Sequence, residues 1–204
     1  MPDNDDPAHA RAILMKGTHV GLTLMRADDV PTIARWNQDL AFTARIGTPG
    51  EAHTIEMRED FYKQNSRVGG DGAEFSVVEL GSERLVGFGG LFDISRALVA
   101  NMFVGIGEPD ARGKGFGSEA CRLLCEYGFF FRNLHSIKVE VHAYNHAAIR
   151  VYERLGFKLV GCLRGANLLN GRRYDEVIMD LLREELEPRY SLSFSGLEST
   201  GPAD

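Results

Sequence analysis

The sequence predicts a mixed α/β (α+β) domain, a sheet of about seven strands with helices on both faces. Three observations carry this. Short runs with period-two alternation are interspersed with segments whose apolar residues recur at helical spacing. Their order, β-α-α-β-β-β-α-β-α-β-β, is one that layer packing resolves as a single sheet covered by helices. The chain has 204 residues, 44% hydrophobic and 25% charged, enough for one sizeable core.

Residues 1–16 carry two prolines and three aspartates and read as a flexible leader; residues 188–204 lack periodicity and read as a tail. Thr18–Met25 alternates as a strand does. Asp28 and Asp29 offer N-caps and Pro31 suits a first turn, with Ile33, Trp36 and Leu40 following at helical spacing. Thr54–Gln64 is a second helix, and Arg67–Gly72 a glycine-rich turn. Phe75–Leu80, Leu85–Phe92 and Leu98–Ile106 are three strands broken by turn residues. Ser118–Phe131 is an amphipathic helix with Ala120, Leu123, Leu124, Tyr127, Phe130 and Phe131 on one face. Ile137, Val139 and Val141 alternate with Lys138, Glu140 and His142 in another strand. Asn145 caps a helix over Ala147–Leu155, and Gly156 stands where a C′ glycine belongs. Phe157–Leu163 and Tyr174–Leu182 close the sheet, with Asn170-Gly171 between them as a type I′ turn signal. The ordered elements thus form one domain over 17–187.

Composition excludes several classes. The formal charge of −6 is not that of a nucleic-acid binder. No apolar run of membrane-spanning length exists, and the N-terminus lacks the apolar stretch of a signal peptide. The 3 cysteines form neither a disulfide framework nor a zinc ligand set, which fits the reducing cytoplasm. His142 and His146 stand four apart without the glutamate of a zinc-protease motif, so no metal is expected.

The most informative segment runs from Val104 to Glu119: a strand, a loop with Gly113, Gly115 and Gly117, then an amphipathic helix. Glycines let backbone N–H groups approach a ligand, and the start of the helix adds unpaired N–H groups and the positive dipole end. Arg112 and Lys114 add charge. A plain glycine-rich turn is the alternative. The loop is not a Walker A motif, because Glu108 occupies the first glycine position and Lys114 precedes Gly115. It is not a dinucleotide fingerprint either, because Asp110 stands where the third glycine belongs. Between Arg112 and Arg173, 11 Lys and Arg face 4 Glu, a local +7 that leaves −13 elsewhere and suits a polyphosphorylated ligand.

Two motifs in this order resemble the GNAT superfamily of acetyl-CoA-dependent N-acetyltransferases. Arg112-Gly-Lys-Gly-Phe-Gly117 is similar to its pyrophosphate motif, Q/R-x-x-G-x-G/A. Asn145-His-Ala-Ala-Ile-Arg-Val-Tyr-Glu-Arg-Leu-Gly-Phe157 is similar to N-x-x-A-x-x-x-Y-x-x-x-G-F. Leu22-Thr-Leu-Met-Arg26 and Asn170-Gly-Arg-Arg-Tyr-Asp-Glu176 resemble the branch of ribosomal-protein N-terminal (alanine/serine) and spermidine acetyltransferases. The likeness covers about residues 18–183.

This resemblance implies a seven-stranded sheet splayed between strands four and five, with acetyl-CoA in the splay and no metal. Val104 and Ile106 would pair with pantetheine, and an N–H near Phe103 would polarise the thioester carbonyl. Arg112, Gly113, Lys114, Gly115, Phe116 and Gly117 would hold the pyrophosphate; Asn145 would contact pantetheine; Tyr152 would be the general acid. Tyr152 also has core spacing, and Asn145 also suits a plain cap. Asp93, Glu140 and His142 are candidate bases acting through water, since the strand Leu98–Ile106 contains no carboxylate.

The expected reaction is direct attack of a primary amine on acetyl-CoA. The amine belongs to a small polyamine, an antibiotic or a protein N-terminus. Acceptor choice is expected in the loops Ala41–His53 and Asn65–Gly72. Residues 28–65 hold seven Asp and Glu against four Lys and Arg, which favours a cationic acceptor. Competing readings are a non-catalytic acyl-CoA-binding sensor and a nucleotide-binding protein of another fold. No membrane or nucleic-acid partner is expected, and a homodimer is left open.

Overall fold

The computed structural model describes residues 11–48, 50–65 and 70–187. The predicted tail, most of the leader and the first half of the Arg67–Gly72 turn lie outside the described residues. The strands are β1 (Ile13–Lys16), β2 (Val20–Leu24), β3 (Ala73–Glu79), β4 (Leu85–Phe92), β5 (Val99–Ile106), β6 (Ser136–His142), β7 (Lys158–Leu169) and β8 (Arg172–Leu182). The helices are α1 (Val30–Asn37), α2 (Leu40–Ile46), α3 (Ile55–Asn65), α4 (Phe116–Glu126) and α5 (His146–Leu155). One sheet runs in the order β1-β2-β3-β4-β5-β6-β8-β7. Among the described residues its one parallel pair is β5–β6, which the α4 crossover makes possible.

The sheet has eight strands rather than about seven, because residues 13–16, expected in the leader, pair with β2 and bury Met15. A second difference is α2, which replaces the first half of the expected Ala41–His53 loop. Asp39 caps it by accepting from Ala41 N at 2.9 Å, Gly47 ends it at φ +102°, and Phe42, Thr43 and Ala44 are buried. Asp28 and Asp29 do not cap α1 through their side chains. Asp28 is exposed, and the buried Asp29 instead accepts from Arg11 Nη1 (2.9 Å), Ser76 Oγ (2.7 Å) and Arg26 N (3.0 Å). It thereby ties the first described residue to β3.

Two cores cover the two faces, as the alternation along β5 requires. On one side, Ala100 and Met102 join α4 and α5 through Ala120, Leu123, Leu124, Tyr152 and Leu155. On the other, Phe103 packs with Ile33, Trp36, Phe42 and Phe88 beneath α1–α3. Fully burying one such Leu or Phe is worth about 1.5–3 kcal/mol, so both helix layers are fastened independently. α4 continues through a π turn over Tyr127–Phe131, matching the predicted Ser118–Phe131 helix in extent. The β7–β8 turn has Asn170 at φ +50° and Gly171 at +73°, the two positive angles of type I′.

The feature that positions the site is a gap in the sheet. β5 and β6 pair only at Val99–Ser136, Ala100–Ile137 and Asn101–Lys138. Beyond Asn101 they separate, while β6 stays registered with β8 to its last residue, His142 opposite Glu176.

Candidate active site

The gap holds a cavity of about 500 Å³, lined by Met102–Ile106 of β5, Glu140–His142 of β6, Arg112, Gly117 and Cys121, and Asn145, Val151 and Tyr152. Residues 102–106 have no strand partner on the β6 side, so an extended ligand can complete the ladder there.

The glycine loop stands at one end. Gly115 is the N-cap of α4 at φ +87°, a left-handed conformation that favours glycine, and a Cβ there would meet nothing within 4 Å. The opening turn of α4 leaves the N–H groups of Phe116, Gly117 and Ser118 without intrahelical acceptors. Gly113, Lys114 and Gly115 are exposed beside it, whereas Phe116 is buried and its ring serves the core. Arg112 spends two donors inside the protein, Nε on Ile106 O (3.0 Å) and Nη2 on Gly107 O (2.7 Å). It braces the strand end as well as adding charge. Gly105 and Gly107 are explained by packing: a Cβ at Gly107 would lie 1.9 Å from the Trp36 ring, and one at Gly105 2.8 Å from Ile46.

Asn145 caps α5, its Oδ1 accepting from Ala148 N at 3.2 Å, while its Nδ2 donates to Arg45 O at 2.8 Å. Tyr144 Oη likewise donates to Ala44 O at 2.7 Å. These two side chains hold the end of α2 over the cavity. Tyr152 is 7% exposed, packs on Phe157 at 5.4 Å and lines the cavity. Burial, with Cys121 and Cys125 beside it, pushes its phenol well above the ordinary range, so it keeps its proton at neutral pH. Cys121 lines the same cavity, and burial pushes its thiol up to about 12, which leaves it inert as a nucleophile.

A second cavity of about 510 Å³ opens on the α1–α3 side. Its apolar wall is Met57, Phe61, Phe88, Phe92 and Phe103; its polar groups include Glu74, Glu140, Glu176, Arg58, His53 and His142. Arg58 is buried against Glu74 at 2.8 Å, and its guanidinium lies over Phe61 and Phe88. The two cavities share Ile46, Gly47, Met102, Phe103, Glu140 and His142.

Among the candidate bases, the structure brings Glu140 and His142 to this shared wall. Asp93 lies outside both cavities, accepting from Asn101 Nδ2 at 3.3 Å. Of the expected acceptor loops, Ile46, Gly47, Thr48 and His53 do line the second cavity. Glu74, Arg58 and the phenylalanines there were not legible as site residues, because in sequence they read as ordinary strand and helix positions. Among the described residues no cluster of three metal-ligating side chains occurs, and no helix is long and apolar enough to cross a membrane.

Residues 19–158 match the family model of the acetyltransferase (GNAT) domain. The probable N-acetyltransferase YjcK of Bacillus subtilis is 32% identical over 114 residues, 55% of this chain and 63% of that protein. The spermidine N(1)-acetyltransferase of Escherichia coli K12 is 30% identical over 109 residues, 53% of this chain and 58% of that protein. The chain thus spans less than two thirds of the length of these curated relatives. In fold it is similar to the Vibrio cholerae spermidine N-acetyltransferase solved with CoA and spermine. That match has a TM-score of 0.76 at 24% identity, over 83% of this chain and 98% of the other.

Proposed function

The chain belongs to the acetyltransferase (GNAT) family, and from that premise we propose that it transfers acetyl from acetyl-CoA to a primary amine of a small polyamine. The observation that carries this reading is the meeting of two cavities at Phe103 and His142. In the donor cavity the α4 amides and loop 112–117 would hold the pyrophosphate, and the open side of β5 would pair with pantetheine. Bound there, acetyl-CoA supplies an activated acyl group. A β5 N–H near Phe103 stabilises the developing oxyanion, and Tyr152 gives its proton to the departing sulfur.

The second cavity suits a cation with a methylene body. Glu74, Glu140 and Glu176 outnumber Arg58, which Glu74 already neutralises, and the aromatic wall takes the alkyl chain. The likeness to spermidine acetyltransferases supports the same class. A single domain over 17–187 in the cytoplasm belongs to this reading; Cys121, Cys125 and Cys162 are free thiols that suit a reducing compartment. So does a homodimer through the sheet edge β7, which exposes Leu159, Val160, Leu163 and Leu168 beside unpaired backbone groups. A strictly monomeric mass in solution at micromolar concentration would remove the dimer.

The decisive test is acetyl-CoA turnover against polyamines, aminoglycosides and N-terminal peptides, with calorimetric binding of CoA and ATP alongside. The expected result is CoA binding without ATP binding, and turnover fastest with polyamines. Binding without turnover on any amine would leave an acyl-CoA sensor, and preference for ATP would overturn the family's donor site.

A further inference from the structure

His142 is the last residue of β6 and is 5% exposed. It lines both cavities, yet neither ring nitrogen has a hydrogen-bond partner among the described residues. A buried imidazole without partners calls for a cause, because folded proteins rarely leave such groups unpaired. The approaching charge is Glu176, its direct cross-strand partner, whose Oε1 lies 3.9 Å from Nδ1. That is too long for a hydrogen bond and within range of an ion pair once the ring is charged.

The other polar groups near the shared wall are already committed. Glu140 is paired with Lys138 at 2.7 Å, and Glu74 with Arg58 at 2.8 Å. Tyr144 Oη donates to Ala44 O, and Asn101 donates to Asp93. His53 lies near Asn37 and Glu51. The other cations, Arg45 of α2 and Arg112 held by Ile106 O and Gly107 O, line the donor cavity alone.

Resting on the acetyl-transfer reading above, we propose that His142 is the general base for the acceptor amine and that Glu176 is its positioning residue. An alkyl ammonium has a pKa near 10.4 and enters protonated. One N–H bond of the ammonium breaks as an N–H bond forms at His142 Nε2. The freed lone pair on the amine nitrogen then attacks the acyl carbon. The imidazolium so formed faces Glu176, which closes from 3.9 Å to stabilise the charge, and the proton later passes to water. Such contacts commonly tighten only when substrate is bound. The remaining surplus amine proton restores the phenol of Tyr152 after the sulfur has left, so both protons lost by the amine are accounted for.

The experiment measures kcat/KM for acetyl-CoA and spermidine between about pH 6 and pH 9 in wild type, His142→Asn and Glu176→Gln, with CoA affinity measured on each. Wild type is expected to fall on the acid side, where the general base is already protonated, and to be flat above. His142→Asn should bind CoA normally and lose roughly a hundredfold at neutral pH. Its rate should then climb about tenfold per pH unit, because only the free amine fraction reacts. Glu176→Gln should move the acid limb to lower pH, since a carboxylate that favours imidazolium is gone. A His142→Asn profile parallel to wild type, or turnover within threefold of it, overturns the proposal. A wild type that binds CoA but acetylates neither spermidine nor any other amine overturns the parent reading, and this one with it.

Discussion

On the proposed reaction, Tyr152 would carry two functions in one side chain. Its ring packs on Phe157 within the larger core, the residue lines the donor cavity, and its hydroxyl would be the proton donor. Tyr152→Phe keeps the first and removes the second. Turnover is expected to drop about 10²–10³-fold, the range of a general acid, with CoA affinity little changed. Turnover within twofold of wild type in a folded variant would reduce Tyr152 to a core aromatic. Its position was legible because Asn145 and Gly156 frame the helix and Tyr152 sits at fixed offsets inside it. His142 was legible only as a candidate. Its meaning depends on which residue stands opposite in β8 and on where β5 leaves β6, and neither registration is written locally in the chain.

The loop and α4 form the element that most clearly joins sequence pattern to ligand chemistry. Gly115→Val places a β-branched residue at φ +87°, so the loop must shift at the position that opens the helix and its first free amides. The strain alone costs about 1–2 kcal/mol, or a few degrees in Tm. CoA affinity should be abolished while the fold survives; unchanged affinity in a folded variant would detach the loop from the pyrophosphate. Pattern found this element, the Asn170-Gly171 hairpin and every strand from β2 onward. It missed α2, whose seven residues are too few to show a helical period and are read instead from the Asp39 cap and Gly47. It missed β1 because four residues beside a polar leader acquire strand character only by lying along β2.

At the scale of the molecule, Asp29 links the chain's first described residue to the sheet. Burial alone would raise its carboxyl, but hydrogen bonds from Arg11, Ser76 and Arg26 N together hold it below the usual range. A folded pKa below the unfolded one contributes stability present above about pH 4 and lost as pH falls through the folded value. Asp29→Asn is therefore expected to cost about 2 kcal/mol near neutrality by removing the charged partner of the half-buried Arg11 guanidinium. Urea denaturation should show the gap between variant and wild type closing under strong acid. A gap independent of pH would assign the loss to packing instead.

On the proposed acetyl transfer, the wall shared by the two cavities also sets the rate law. Phe103 and His142 line both spaces, and burial keeps the thiol of Cys121 on the donor side protonated, so that cysteine stores no acetyl group between half-reactions, and His142 in its proposed role takes a proton instead of the acyl group. Both substrates would then have to be aboard before any bond changes. A central ternary complex would enter the steady state, and reciprocal plots at several amine concentrations are expected to intersect instead of running parallel. When amine is scarce, the enzyme would idle with its donor intact, carrying no acylated form of itself to be discharged by water.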